Sequence, residues 1–188
     1  MTPKYNNIII EIKEQEILFP KGYFFKQSEI HNKGKVTAED ISEINMGIFP
    51  HILVFRNQEM IFIKTEYEIQ LTEFAQRNNI PIIDRFDIWE HINRPFLDTE
   101  FEPEEEIASQ KLLAENGISA TELKTIRKKI GRTMFINFRV WEWNYLGLYD
   151  YLTWTYLTKT KYKWAMEIAL RNLKTSVGLK KKPSDKKE

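Results

Sequence analysis

Two short apolar runs, Ile52-Leu53-Val54-Phe55 and Met60-Ile61-Phe62-Ile63, stand either side of Arg56-Asn57-Gln58-Glu59 and set the firmest limit on how this chain folds. Each has strand length and is rich in β-branched or aromatic residues. Together they predict a hairpin. Isoleucine-rich Asn7–Lys13 predicts an earlier strand, and Ile17–Phe19 a second, ended by the turn signal Pro20-Lys21-Gly22. Tyr23–Phe25 continues that sheet, and Asn32–Lys35 reads as a loop.

Helical signals surround the hairpin. Thr37 and Asp40 have capping-box-like spacing, so Thr37–Met46 is expected to be a helix with Ile41 and Ile44 inward and Gly47 as its stop. Thr65 and Glu68 repeat the spacing, and Tyr67, Leu71, Phe74 and Ala75 form one face of a helix over 66–77. Ile80–Ile83 reads as a short strand, with Pro81 at its start or on an edge. Asp84–Ile92 reads as a helix. A helix between apolar strands argues for a layered core that is partly parallel.

Prolines and acids around Arg94–Glu102 mark a boundary. Beyond it Glu104–Glu115 is expected to be helical, with Pro103 and acidic residues in its first turn. Ser119 and Glu122 form a capping box ahead of Leu123, Ile126 and Ile130. Helices follow over Phe135–Tyr156 and Lys161–Lys174. The fold class is therefore α+β: a small mixed β-sheet with packed helices, then a helical, aromatic-rich C-terminal half. The expected division is 1–96 as a mixed α/β domain, 97–175 as a helical region packed on or extending it, and 176–188 as a disordered basic tail.

Composition narrows the function classes. The chain has 188 residues, 42% of them hydrophobic, which is enough for a core without staples. It has no cysteine, which excludes disulfides, thiolate zinc sites and cysteine nucleophiles. No signal peptide and no membrane-spanning run is visible, and the expected location is cytoplasmic. Residues 1–100 carry 11 Lys/Arg against 16 Asp/Glu, whereas 159–188 carry 10 against 3. That C-terminal basic character suits phosphate attraction to nucleic acid. Lysine outnumbers arginine nine to one there, which disfavours base reading.

Catalytic motifs are sparse. The chain has no GxGxxG, no P-loop, no GxSxG and no HExxH. His31, His51 and His91 lack ligand-like spacing. Asp84 and Asp87 follow the Ile80–Ile83 strand, a usual place for a ligand or metal, and equally suit helix capping. Glu59, Lys64 and Glu66 flank the second hairpin strand. A hairpin bearing an acid and a lysine, then a helix, then a strand, loosely resembles the core of restriction-endonuclease-like nucleases. The resemblance implies a metal-dependent phosphodiester hydrolase, or its inactive relative. Glu59, Lys64, Asp84 and Asp87 would be catalytic and Asp84 and Asp87 would hold Mg²⁺ or Mn²⁺. Glu59 and Lys64 depart from the family spacing, being five residues apart rather than two.

The aromatic half leads to a different expectation. Phe135, Phe138, Trp141, Tyr145, Leu148, Tyr149, Leu152 and Tyr156 recur at helical spacing, while Trp143, Tyr151 and Trp154 lie off that face. A helix apolar on two sides is central to a bundle or covered by a partner. The leading expectation is a non-enzymatic binding or assembly protein that uses Trp141, Trp143, Tyr151, Trp154 and Tyr156 for self-association or a protein partner. The alternatives are the hydrolase and a nucleic-acid-binding accessory protein acting through its C-terminal lysines.

Overall fold

A computed structural model describes residues 8–97, 102–138 and 146–175. The hairpin is its centre. β5 (His51–Phe55) and β6 (Glu59–Ile63) pair antiparallel with His51 opposite Ile63 and Phe55 opposite Glu59. Every residue of both strands is buried, which is why they read as continuous apolar runs rather than as alternation. Arg56 and Asn57 both take positive φ in the turn, and Gln58 N–H closes it onto Phe55 O at 2.9 Å. A left-handed arginine is unfavourable. Asp40 holds it twice: its carboxylate takes Arg56 Nε–H at 2.7 Å and its carbonyl takes Arg56 N–H at 2.8 Å.

β4 (Ile41–Asn45) completes this sheet beside β5. A second antiparallel sheet joins β1 (Glu11–Ile12), β2 (Glu16–Leu18) and β3 (Lys35–Thr37) in that order. The architecture is α+β. Three expectations are corrected here. The segment 37–46 is not a helix: β3 ends at Thr37, a single 3-10 turn spans Ala38–Asp40, and β4 follows. The stretch 32–35 is not a loop, because α1 (Glu29–Lys33) and β3 share it. Ser28 Oγ caps α1 by accepting from Ile30 N, and Gly34 ends it at φ 66°. Both sheets are antiparallel, and the parallel character is confined to one bridge, Ile44 with Ile82.

The chain returns across β4 through Pro81–Asp87. Ile44 N–H donates to Pro81 O, and Ile83 N–H to Ile44 O, both at 2.9 Å. α2 (Glu68–Arg77) precedes this strap, burying Leu71, Phe74 and Ala75 as the spacing predicts. The following helix, α3 (Ile88–Asn93), starts four residues later than expected, and its cap is Asp87 rather than Asp84. α4 (Pro103–Glu115) and α5 (Ala120–Phe138) form the expected pair, and Ser119 Oγ accepts from Glu122 N at 3.2 Å. α6 covers Leu148–Trp154. The expected last helix is broken at Leu170 into α7 (Lys159–Ala169) and α8 (Arg171–Thr175).

The strap carries the polar contacts that fix the C-terminal helices to the sheet. Arg85 Nε and Nη2 donate to the two oxygens of Glu43 on β4 at 2.5 and 2.7 Å, and both side chains are nearly closed to water. Arg85 Nη1 donates to Asn172 O on α8 at 3.1 Å, and Asn172 Nδ2 donates to Phe86 O at 2.8 Å. Asn45 Nδ2 takes up Arg85 O at 2.8 Å. Core residues come from both sides of position 96, from Leu53 and Ile61 to Leu152 and Met166.

A buried ion pair that loses one member leaves an uncompensated charge, at a cost of about 3–5 kcal/mol. Arg85→Ala and Glu43→Ala are each expected to lower unfolding free energy by about that much in urea titrations. The double variant should lose less than the sum of the two. Additive losses would contradict direct pairing.

Candidate binding cleft

An open cleft of about 1190 Å³ runs between α1, the β5–β6 turn and the outer side of α7 and α8. Its floor is both apolar and polar. Met166, Leu170 and Leu173 supply the apolar part. The polar part is Glu59 at the start of β6, only 6% exposed. Tyr162 on α7 donates its hydroxyl to Glu59 Oε1 at 2.5 Å, and Glu29 N–H donates to Oε2 at 3.3 Å. Burial pushes the Tyr162 hydroxyl well above its ordinary range, with Tyr23 and Glu59 nearby adding to the rise. Tyr23, also pushed up by burial, accepts at its hydroxyl from Phe62 N–H at 2.9 Å. The floor is thus a set of mutually satisfied groups, as buried polar atoms must be.

The rim is cationic. Lys26, Lys33, Lys159 and Lys163 line it and are all exposed. Lys33 pairs with Glu29 at 3.4 Å, while Lys26, Lys159 and Lys163 have no hydrogen-bond or ion-pair partner among the described residues. Two features hold the edges. Gln27 Nε2 donates to Leu157 O at 2.7 Å, tying the α6–α7 link to the α1 side. Met60 N–H approaches Met166 Sδ at 3.4 Å, tying β6 to α7.

The four residues read as catalytic from sequence do not share this place. Glu59 is in the cleft floor. Lys64 pairs with Glu66 at 3.2 Å beyond the other end of β6. Asp84 is exposed and lies against Gly47, where an added Cβ would come within 1.9 Å of Asp84 Oδ1. Gly47 is therefore not a helix stop but a place where this carboxylate needs the room. Asp87 is buried and structural. Its Oδ1 accepts from Trp89 N at 2.8 Å, capping α3, and its Oδ2 accepts from Leu148 N at 2.9 Å at the start of α6. Among the described residues no three histidines or acids come together in a way that would hold a metal ion. His31, His51 and His91 bond to Tyr23 O, Glu68 and Ser109 in three different places.

The aromatic residues divide sharply. Tyr151 is inside the chain's own core, stacked on Trp89 with ring centroids 4.4 Å apart, and Trp164 meets both edge-on. It has no face to offer a partner. Lys129 Nζ sits 3.6 Å over the Trp164 ring. Trp154 is half-buried, and Tyr156, just past the end of α6, is 86% exposed. Trp141 and Trp143 lie outside the described residues. Sequence reasoning missed Ser28 and Tyr162. Ser28 carried the capping signal of a helix too short to show a period, and nothing local to Tyr162 points to a glutamate 103 residues away.

Asp150 lies in the first turn of α6. It accepts from Gly147 N–H at 2.8 Å through Oδ2, at the start of α6. Burial pushes its carboxyl up to about 7, and the Asp87 carboxylate adds to the rise against the Gly147 bond. Glu90, facing the same carboxylate, is raised too, first by burial and then by Asp87. A raised acid favours the fold while protonated, so this stabilisation is complete below the ordinary aspartate range and disappears as pH rises through about 7. Stability is expected to fall between about pH 4 and pH 7, with a slope of up to about 1.4 kcal/mol per unit from this one group, and to level off above that range. Asp150→Asn, whose amide oxygen still accepts from Gly147, is expected to flatten that slope in urea titrations across the range. An unchanged slope would contradict the assignment to Asp150.

No helix among the described residues is long and apolar enough to cross a membrane. Compared with protein-family models, curated proteins and solved structures, the chain matches none.

Proposed function

We propose that this chain is a non-enzymatic binding protein whose helical half takes a protein partner, with the exposed Tyr156 as an anchor on the α6–α7 link that Gln27 ties to the lysine-rimmed cleft. The observation that carries this reading is the exposure of Tyr156, at 86%, one residue before Leu157, whose carbonyl is held by the cleft-lining Gln27. A tyrosine offers large contact area for little lost rotamer entropy and is enriched where interfaces concentrate their energy. Its neighbour Leu157 is held by cleft-lining Gln27, and Lys161 Nζ donates to its own carbonyl at 3.1 Å. The ring therefore projects from a backbone that is already fixed, which lowers the ordering cost of binding.

A binding role also fits the state of the polar groups. Glu59 has each oxygen engaged with a donor from its own chain, and Tyr162 spends its hydroxyl on Glu59. Asp87 serves two helix starts. These are the groups a hydrolase would need to turn toward substrate. Trp154, half-buried next to Tyr156, extends the aromatic surface toward the self-association that the sequence suggests.

Photo-crosslinking in the native cell tests this reading. Benzoylphenylalanine in place of Tyr156 is expected to give a discrete covalent adduct with a protein. The same substitution at Ile69, 73% exposed on α2, is expected to give none. An adduct of two chains identifies self-association, and one of any other mass a different partner. No adduct from position 156, or the same adduct from both positions, would contradict the proposal.

A further inference from the structure

We infer that the cleft between α1, the β5–β6 turn and α7–α8 is a docking groove for an acidic peptide segment that carries apolar side chains, contributed by a protein partner. This rests on the partner-binding reading above and adds the chemistry of what is bound.

Charge sets the sign of the occupant. Of the three glutamates that line the groove, Glu59 is turned onto Tyr162, and Glu29 pairs with Lys33. Glu167 stands within the field of Arg171, whose side chain chelates Glu122 at 2.6 and 2.9 Å. That leaves Lys26, Lys159 and Lys163 without partners among the described residues, on both walls of the groove. Lys159 and Lys163 are four apart on α7 and so project from one face of that helix. The chain's own C-terminal stretch is excluded as occupant by sign, because residues 176–188 hold five lysines against one aspartate and one glutamate.

Size and floor set the class. About 1190 Å³ exceeds the roughly 300–1,000 Å³ of ordinary small-molecule pockets and suits a run of peptide. Met166, Leu170 and Leu173 give apolar side chains somewhere to go, and Gln27, Asn32 and Gln58 line the same groove with amides able to meet a peptide backbone. A nucleic-acid strand fits less well. The groove has no arginine, and the two aromatic residues that line it, Phe55 and Tyr162, are buried, so neither offers a ring face for base stacking inside it.

The test uses the full chain and a fluorescein-labelled peptide repeating Glu-Glu-Leu, read by fluorescence anisotropy at low and at physiological ionic strength. Binding is expected at low ionic strength and is expected to weaken with salt. The Lys159→Glu, Lys163→Glu pair, both residues exposed, should weaken it at least about ten-fold. The matched pair Lys111→Glu, Lys128→Glu, exposed on α4 and α5, should leave it unchanged. Circular dichroism of both pairs checks folding. No binding at low ionic strength, or equal loss in both pairs, would overturn the inference. So would tighter binding of an oligothymidylate with the same variant dependence, which reassigns the groove to nucleic acid. Self-association abolished by the Lys159, Lys163 pair would reassign it to a second copy. A crosslinked adduct from position 156 without acidic-peptide binding would leave the partner-binding reading in place and remove this one.

Discussion

The Arg85–Glu43 pair is the contact on which the rest of the arrangement depends. Glu43 sits on a buried strand, where a lone carboxylate would be costly, and Arg85 answers it with two parallel N–H bonds. Placing that guanidinium brings the strap 81–87 across β4 and leaves its peptide groups to be satisfied by Asn45 and Asn172. Two residues further on, Asp87 caps α3 and receives α6. Three successive residues, 85 to 87, thus fix the sheet to three helices. Such a network gives position rather than much net stability, because desolvating the charges offsets most of what their attraction returns.

The same contact explains where the sequence misleads. Residues 41–45, Ile-Ser-Glu-Ile-Asn, place two isoleucines three apart with polar residues between, which is a helical pattern. They form a strand because Glu43 and Asn45 are buried against partners about 40 residues away, and a bulge between Ile41 and Glu43 shifts the register. No local window contains that information. The hairpin 51–63, α2, α4 and the start of α5 were legible because their determinants are local: a turn, a cap, a continuous apolar face. Asp87 was within reach, since Asp87 and Glu90 have capping-box spacing, but Asp84 sat closer to the apparent strand end. The cleft was not legible at all. Its floor pairs Glu59 with Tyr162, its walls come from α1, the β5–β6 turn and α7, and only folding brings them together.

The aromatic content has a similar lesson. Read along the chain, it suggested more apolar helix surface than one fold could hide. In the fold, Trp89, Tyr151 and Trp164 enclose one another, and Trp89 Nε1–H finds Ala165 O at 3.1 Å, so its polar edge is satisfied inside. Phe25, Phe62, Tyr149 and Tyr162 make a second aromatic contact between β6 and the C-terminal helices. Among the described residues the aromatic side chains left clearly outward are Phe49 and Tyr156, and α7 and α8 complete the groove because the strap holds them against the sheet.

The central claim is that the β4–β6 sheet and α7 form one cooperative unit, so that the cleft exists whenever the protein is folded. Native-state hydrogen exchange tests it most directly. The amides of Leu53 and Ile61 in the sheet and of Ile168 and Ala169 in α7 should exchange with the same free energy of opening, equal to that of global unfolding. If the α7 amides exchange through a lower-energy opening while the sheet stays closed, the helices are a separable layer and the account is wrong.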